Sequence, residues 1–396
     1  MTERLYYTDP ALIDFDATIV DTRDEGDRFV TKLDRTAFYP TSGGQLSDRG
    51  TLGDSSIFDV QESDDGEVLH YSQTSPGVVG QSVKGLVDCE RRWRNRQMHT
   101  AQHIVSQTAV RLFDAETVSV HLGDEYGAVE LDCAELLPGQ IDKLEAQVHQ
   151  IIRDNARVDI LFVTTEEAKS LPLRKFPSRE GNIRVIRIGE YDWSACGGTH
   201  CHNTAEVGLV KFVGVEKMRG RILLRFLSGA QAIADYSNRF DVTDRLSKQQ
   251  SCAVTDLAGK FEKLQEENRQ LRKEVTTLSR ELTPQKAQKL VDTAERFGTI
   301  PIVIGQVHPS EQEIAGTLAS EVAARIGGVA ILAGNDKWLL AIASSSGQHA
   351  GNIAKSLSAR FGLRGGGNAT AAQIGGTAQI SIDQLRTAVR EILAGA

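Results

Sequence analysis

A predicted helix opens with the basic run Arg91-Arg92-Trp93-Arg94-Asn95-Arg96 and continues through His99 and His103 to about Leu112. Residues four apart lie on one face of a helix, with about 5–6 Å between their Cβ atoms. Both imidazoles can therefore reach one metal ion. The two histidines indicate half of a metal site, and its other ligands must come from elsewhere in the chain.

A second pair of metal-ligand types lies in Ser194-Ala195-Cys196-Gly197-Gly198-Thr199-His200. Cys196 and His200 have the same spacing as the two histidines, and the Gly pair between them lets the loop fold back. Three imidazole nitrogens and one sulfur form a ligand set typical of zinc. Cys201 and His202 follow immediately, and the local sequence leaves them open as alternative ligands.

Composition indicates how many domains to expect and which classes of protein are excluded. The 396 residues, 40% hydrophobic and 25% charged, allow several domains with their own cores. No apolar run is long enough for a membrane span and no signal peptide pattern is present, so we expect a cytoplasmic protein with no membrane partner. Five dispersed cysteines do not suggest a disulfide framework.

The net charge of −8 is unevenly distributed. Residues 1–90 carry 18 acidic and 7 basic side chains, whereas residues 171–225 carry five acidic and ten basic ones. Because phosphate binding depends on the local potential, the basic middle of the chain can face nucleic acid despite the overall charge. An ordinary solvated surface explains the same distribution equally well.

Residues 1–90 predict a small β-barrel, because short segments of alternating apolar and polar residues are separated by Gly, Asp and Ser. One segment differs from the rest, Thr36-Ala37-Phe38-Tyr39-Pro40-Thr41-Ser42-Gly43-Gly44-Gln45. Its Gly pair permits close approach of a ligand or another backbone, and its Thr, Ser and Gln offer hydrogen-bonding groups. A tight hairpin is the alternative interpretation.

The rest of the chain predicts three further regions, and the whole is a multidomain α+β protein. Residues 91–229 predict an α+β domain with an antiparallel sheet, and residues 230–283 a helical linker. In the linker, apolar residues at alternating steps of four and three over 257–282 form a coiled-coil seam. Asn268 occupies one a position, where a buried Asn fixes register and oligomer state. The seam pairs either with the preceding helix or with a second copy, as a homodimer.

Residues 284–396 predict an α/β domain with a Gly-rich loop at 365–376. Gly365, Gly366 and Gly367 expose backbone N–H groups suited to phosphate or ribose contacts. The loop has neither the P-loop nor the dinucleotide-binding pattern, and a flexible loop is the alternative. This domain is a second place for a homodimer contact.

Four stretches together resemble one family: His99-x-x-x-His103, Cys196-Gly-Gly-Thr-His200, the segment 38–45 and the C-terminal Gly-rich loop. In order and spacing they are similar to the editing region of alanyl-tRNA synthetase and to its free-standing relatives, the AlaX proteins, in the long form. Thr100-Ala101-Gln102-His103 and Ser119-Val120-His121-Leu122-Gly123 are closer to the free-standing proteins. The resemblance therefore implies an independent enzyme that acts in trans.

The resemblance implies a hydrolase that cleaves the ester linking serine or glycine to tRNA(Ala), and it places the ligands of one Zn²⁺ per chain at His99, His103, Cys196 and His200. It further implies that the Gly-rich segment with Gly43, Gly44 and Gln45 closes over the pocket and that Thr36 reads the serine hydroxyl. The C-terminal domain resembles the DHH-associated domain and is expected to bind RNA.

The basic run adjoins the metal-binding face of the helix, and Arg91, Arg92, Arg94 and Arg96 are expected to bring the acceptor end of tRNA to that face. Four protein ligands describe a closed zinc site, whereas catalytic zinc keeps one position open. Either one ligand is displaced, or zinc orders the pocket while Gln102 or His121 positions water. Two alternatives remain: a non-catalytic zinc-containing RNA-binding protein, and a zinc hydrolase for another mischarged tRNA.

Overall fold

The computed structural model describes residues 2–177, 181–334, 338–377 and 380–394. The chain divides into two compact units, Met1–Arg245 and Leu246–Ala396. Each unit combines helices with sheets, so the predicted multidomain α+β class is confirmed. Among the described residues, no helix is both long and apolar enough to cross a membrane.

The first unit begins with a closed six-stranded barrel, which confirms the small barrel predicted for the N-terminal region. The strands of this region are β1 Glu3–Arg4, β2 Asp14–Asp24, β3 Phe29–Leu33, β4 Arg35–Thr36, β5 Gly50–Leu52, β6 Ser55–Glu62, β7 Val68–Ser72 and β8 Ser82–Val87. The barrel closes in the order β2-β3-β7-β6-β5-β8, with antiparallel pairing throughout. In β2, Phe15, Ala17 and Ile19 are buried while Asp14 and Asp16 are exposed, as the two-residue period of a strand requires.

The remainder of the first unit is an α+β region built around one long helix. Its elements are α1 Cys89–Phe113, β9 Thr117–Leu122, β10 Gly127–Leu131, α2 Pro138–Arg153, β11 Val158–Thr164, α3 Thr165–Lys169, β12 Asn182–Ile188, β13 Asp192–Ala195, β14 Val210–Met218 and β15 Arg221–Ser228. We expected one antiparallel sheet, and the structure has two, ordered β14-β15-β10-β9 and β11-β12-β13. Residues from α1, α2 and both sheets share one hydrophobic core.

Helix α1 coincides with the helix predicted from the basic run. The carboxylate of Asp88 accepts a hydrogen bond from the Arg91 N–H at 3.0 Å and caps the first turn. The helix stops at Asp114, whose φ of 52° lies in the left-handed region. Its middle is almost entirely buried, and polar side chains on a buried helix must find protein partners.

Three helices connect the two units along the chain: α4 Gly229–Gln250, α5 Leu257–Glu281 and α6 Thr283–Val291. Helix α5 covers the predicted coiled-coil seam. Its seam side chains are exposed, with 46% of Phe261, 59% of Leu271 and 51% of Leu278 accessible. The coiled coil therefore stays a prediction.

The second unit contains a six-stranded mixed sheet with helices packed on it. Its elements are β16 Glu295–Phe297, β17 Ile300–Val307, α7 Ala315–Ile326, β18 Val329–Gly334, β19 Trp338–Ser344, α8 Ala350–Phe361, β20 Arg364–Gly367, β21 Ala371–Gly376 and α9 Ile382–Ala394. The strand order is β16-β17-β18-β19-β21-β20, and β17 and β18 are the parallel pair. Two apolar clusters lie against this sheet.

The Gly-rich loop predicted at 365–376 is mostly strand in the structure. Gly365, Gly366 and Gly367 belong to β20, which pairs antiparallel with β21 and is exposed. Gly365 has a φ of +141°, and a Cβ there would lie 2.2 Å from the carbonyl oxygen of Gln373. The glycines therefore allow close pairing of the edge strand β20 with β21, which the composition of the segment does not distinguish from a flexible loop.

Candidate active site

His99, His103, Cys196 and His200 form one buried cluster. Their potential ligand atoms all lie within 4.8 Å of one another. The Cys196 sulfur is 3.4 Å from the Nε2 atoms of His99 and His200. Helix α1 supplies the first two side chains, and the loop after β13 supplies the other two. The two distant halves expected from the sequence therefore meet in the folded chain.

The cluster fits zinc. With Zn–S near 2.3 Å and Zn–N near 2.0–2.1 Å, tetrahedral geometry places a sulfur and a nitrogen ligand about 3.5 Å apart. The observed sulfur-to-nitrogen distances of 3.4 Å agree with this spacing. Three imidazoles and a thiolate are also the donor types that zinc prefers. The cluster could therefore hold one metal ion.

A separate protein group orients each imidazole through its Nδ1 atom. His99 Nδ1 lies 2.8 Å from the Oε1 atom of Gln45, and His103 Nδ1 lies 2.9 Å from the Oδ2 atom of Asp192. His200 Nδ1 lies 3.2 Å from the Thr100 hydroxyl oxygen. Such partners fix the ring orientation and leave Nε2 free to bind a metal ion.

The pKa values of two members of the cluster, Cys196 and His200, suit metal binding. Burial by itself raises the pKa of the Cys196 thiol, but the neighbouring His99 and His200 lower it well below its usual value. Burial also lowers the pKa of His200 well below its usual value, with a further contribution from His99. A thiolate and a neutral imidazole are the forms that coordinate metals.

By contrast, burial raises the pKa of the neighbouring Cys201 thiol to about 12. Cys201 is 1% exposed and lies outside the cluster, and the side chain of His202 is 58% exposed. The fold therefore brings Cys196 and His200, and not Cys201 and His202, to the two histidines of α1.

The loop from Cys196 to His200 depends on a glycine at position 198. A Cβ on Gly198 would lie 2.1 Å from the Cε1 atom of His99. The buried guanidinium of Arg184 also shapes this loop, because its Nη1 donates to the carbonyl oxygens of Cys196 at 2.7 Å and Gly198 at 3.0 Å. The loop can approach the helix closely because residue 198 has no side chain, and Arg184 holds the loop in that position.

A cavity of about 430 Å³ opens beside the cluster. His99, His103 and Cys196 contribute to its wall, and Gln102 lies beside them. Gln102 is 4% exposed, and its Nε2 donates to the Ser106 hydroxyl at 2.8 Å. Of the two residues expected to position water, Gln102 therefore lies at the cavity.

The other expected polar residues lie away from the cavity. His121 is exposed on β9 and does not line it. Thr36 is fully buried in the barrel, where its hydroxyl lies 2.8 Å from Nε2 of His70. Burial lowers the pKa of His70 to about 4, so the ring is neutral at physiological pH. Here the Thr36 hydroxyl is used inside the barrel, and its expected contact with a serine hydroxyl stays a prediction.

The Gly-rich segment does reach the site. Gly43 lines the cavity, and Gly44 packs against β9, where a Cβ would lie 2.7 Å from the carbonyl oxygen of Val120. Gln45 is 1% exposed and joins the two halves of the cluster. Besides its contact with His99, its Oε1 accepts from the Thr199 N–H at 3.1 Å and its Nε2 donates to the Thr199 hydroxyl at 3.0 Å. Gln45 therefore supports the cluster rather than facing a substrate.

The structure places most of the basic run inside the protein. Arg91, Arg92 and Arg96 are at most 6% exposed and are held by protein groups. Arg92 binds the fully buried Asp48 carboxylate at 2.5 Å, and Arg96 donates to the carbonyl oxygen of His200 at 2.7 Å. These three guanidinium groups already have protein partners, and their contact with RNA stays a prediction. The side chain of Arg94 is 34% exposed and lies 3.4 Å from Asp124.

Sequence reasoning missed Asp192, the partner of His103. A signal for it exists in the alternation of a strand, since residues 192, 194 and 196 fall on one side of β13 and its extension. The Asp192 carboxylate also accepts from the Ser194 hydroxyl at 2.9 Å and lies 3.3 Å from Nε of Arg174. His103 is therefore oriented by a carboxylate that is itself fixed.

Two known protein families match parts of the chain. The threonyl and alanyl tRNA synthetase second additional domain matches residues 183–223, which include the Cys196 loop. The DHHA1 domain matches residues 300–395 in the second unit. The chain thus combines the two domain types that the resemblance implied.

Whole-chain relatives agree with this combination. The alanyl-tRNA editing protein AlaX-L of Pyrococcus horikoshii is 31% identical over 361 residues, which cover 86% of each chain. An alanine–tRNA ligase of Archaeoglobus fulgidus is 30% identical over 88% of this chain but only 39% of the ligase. The alanyl-tRNA editing protein Aarsd1 of Bos taurus is 30% identical over 69% of this chain and 62% of its own length. The chain therefore belongs to the alanyl-tRNA editing protein family, in the AlaX-L form.

Proposed function

We propose that this chain is a trans-acting aminoacyl-tRNA deacylase of the cytoplasm. It binds one Zn²⁺ and hydrolyses the ester of tRNA(Ala) mischarged with serine or glycine. The observation that carries the proposal is the cavity of about 430 Å³ walled by His99, His103 and Cys196, which is large enough for an aminoacyl group and its ribose. The names of the two editing relatives support the choice of tRNA(Ala).

The residues of the cavity have two roles, to bind the metal ion and to position the substrate or a water. When bound, Zn²⁺ would supply a fixed positive charge and Lewis acidity to the wall. Gln102 donates through Nε2 to Ser106, so its Oε1 faces away from that bond and is free to accept from a substrate hydroxyl or a water. Ser106 also accepts from the Thr117 hydroxyl at 2.7 Å, which holds the amide in place. Gln102 is the residue that we assign to positioning.

Hydrolysis of three charged tRNAs tests this function. We expect purified protein to release serine from Ser-tRNA(Ala) fastest, glycine more slowly, and alanine at least about a hundredfold more slowly than serine, because glycine and alanine both leave the hydroxyl-binding group unpaired. Release of the free amino acid is measured with each labelled substrate. Equal rates on all three substrates contradict the proposed selectivity. Cleavage of a different mischarged tRNA, and of none of these three, shows that the enzyme acts on another substrate.

A second function is favoured by the ligand count. Four protein ligands complete a tetrahedral site and leave no open position for water, as in purely structural zinc sites. A non-catalytic RNA-binding protein fits that count. Tight binding of tRNA(Ala) without release of any amino acid supports this second function against the first.

We further propose that the protein is a homodimer through the seam of α5, with the C-terminal domain as the alternative contact. The exposed Phe261, Leu271 and Leu278 support this, because apolar seams at heptad spacing bind a second helix. We expect Leu271→Glu to convert the dimer to a monomer in light scattering. The neighbouring Gln270→Glu adds the same charge off the seam and is expected to stay dimeric. A dimeric Leu271→Glu variant excludes the seam as the interface.

A further inference from the structure

We propose that Lys175 binds a phosphate of the 3′-terminal nucleotides of the substrate at the mouth of the cavity. The inference rests on the proposed function and names the part of the RNA that this site contacts. It replaces the basic run of α1, whose buried arginines are held by protein groups.

Ten basic residues lie in 171–225, and we compared which of them have a charge that is exposed and not bound by a protein group. Arg179 lies outside the described residues. The ion-paired members are Arg174, Arg187, Lys211, Lys217, Arg221 and Arg225. Arg184 is 7% exposed and donates to three backbone carbonyls. Within the described part of this region, Lys175 and Arg219 are exposed and form no hydrogen bond or ion pair.

Position separates these two cations. Lys175 lines the cavity and is also exposed, so the residue lies where the cavity meets solvent. Arg219 lies at the turn between β14 and β15 and does not line the cavity. Of the two, the lysine is the one that lines the cavity beside the cluster.

The backbone that carries Lys175 is anchored to the site. The N–H of Arg174 donates to the carbonyl oxygen of Trp193 at 2.9 Å. The guanidinium of Arg174 donates to the Ser194 hydroxyl at 2.9 Å and lies 3.3 Å from Asp192, the partner of His103. The lysine is therefore placed at a set distance from the cluster, while its own flexible stem leaves the charge free to meet a ligand.

The chemistry of the substrate supplies the ligand. The amino acid is esterified to the terminal ribose, and the phosphodiester on the other side of that ribose carries a negative charge. With the ester at the cluster, the phosphate lies toward the opening of the cavity. Glu116 also lines the cavity and repels a phosphate, so the lysine side is the favourable exit for the RNA chain.

Lys175→Ala tests the inference in the full-length protein. We expect KM for Ser-tRNA(Ala) to rise about tenfold with kcat unchanged, and the slope of log KM against log salt to fall by about 0.7, the value for one contact to single-stranded RNA. Lys175→Arg keeps the charge and is expected to restore KM. Arg219→Ala removes the same charge away from the cavity and is expected to match the unaltered protein.

A substrate without phosphate gives the sharper comparison. The seryl ester of adenosine has the ester and the ribose but no phosphodiester, so we expect Lys175→Ala and the unaltered protein to hydrolyse it at equal rates. An equal loss on both substrates overturns the inference, because the lysine then serves the site and not the phosphate. An unchanged KM for Ser-tRNA(Ala) overturns it as well. If the unaltered protein hydrolyses neither substrate, the proposed function fails and takes the inference with it.

Discussion

A Cys196→Ala variant will lose its bound zinc and all measurable hydrolysis of Ser-tRNA(Ala). The sulfur lies 3.4 Å from two imidazole nitrogens, and its removal leaves three imidazoles and no thiolate to ligate a dication. The metal content per chain, measured by plasma mass spectrometry after dialysis, is the primary readout. Loss of metal without loss of folded structure in circular dichroism is the expected pattern.

Cys201→Ala is the matched control for that variant. It removes a buried thiol next to the site, but that thiol lies outside the cluster and burial keeps it protonated. We expect zinc content and activity close to those of the unaltered protein. Retention of zinc by Cys196→Ala together with its loss from Cys201→Ala contradicts the ligand assignment.

An Arg92→Met variant will be destabilised by about 3–5 kcal/mol, the usual cost of removing one partner from a buried ion pair. Asp48 is 0% exposed and would be left with an uncompensated charge, and the carbonyl oxygens of Pro10 and Ala37 would lose a donor. Denaturant unfolding of the full chain measures this, with the transition of the first unit followed by fluorescence of Trp93 and Trp193.

Arg94→Met is the control, since its guanidinium is partly exposed and 3.4 Å from Asp124. We expect a change in the free energy of unfolding of less than about 1 kcal/mol, as for other exposed pairs. A stable Arg92→Met protein with weakened tRNA binding contradicts the structural role and restores the RNA-binding role of the basic run.

The contrast between histidines and arginines shows what the sequence of α1 can predict. His99 and His103 were found because the spacing of residues on a helix is a local property. Whether Arg92 meets RNA or Asp48 depends on a partner forty-four positions away in the chain, which no local pattern reports. The same limit applies to Thr36, whose hydroxyl is bound by His70 across the barrel.

The second unit also combines features that local sequence patterns predict with features that depend on distant partners. Alternation and helical spacing predicted its α/β class, since buried faces are visible in local patterns. The strand conformation of Gly365, Gly366 and Gly367 was not predicted. A run of glycines is compatible with a loop and with an edge strand until its pairing partner is known. Strand pairing is a contact between distant segments, and only the fold supplies it.

Gln45 couples metal affinity to the docking of the barrel. Its side chain extends from the N-terminal barrel segment to His99 on α1 and to Thr199 in the ligand loop, so the two halves of the cluster are held by a third segment. A metal ion bound at the cluster would therefore stabilise the docked position of the barrel segment, and docking would strengthen metal binding by the same free energy.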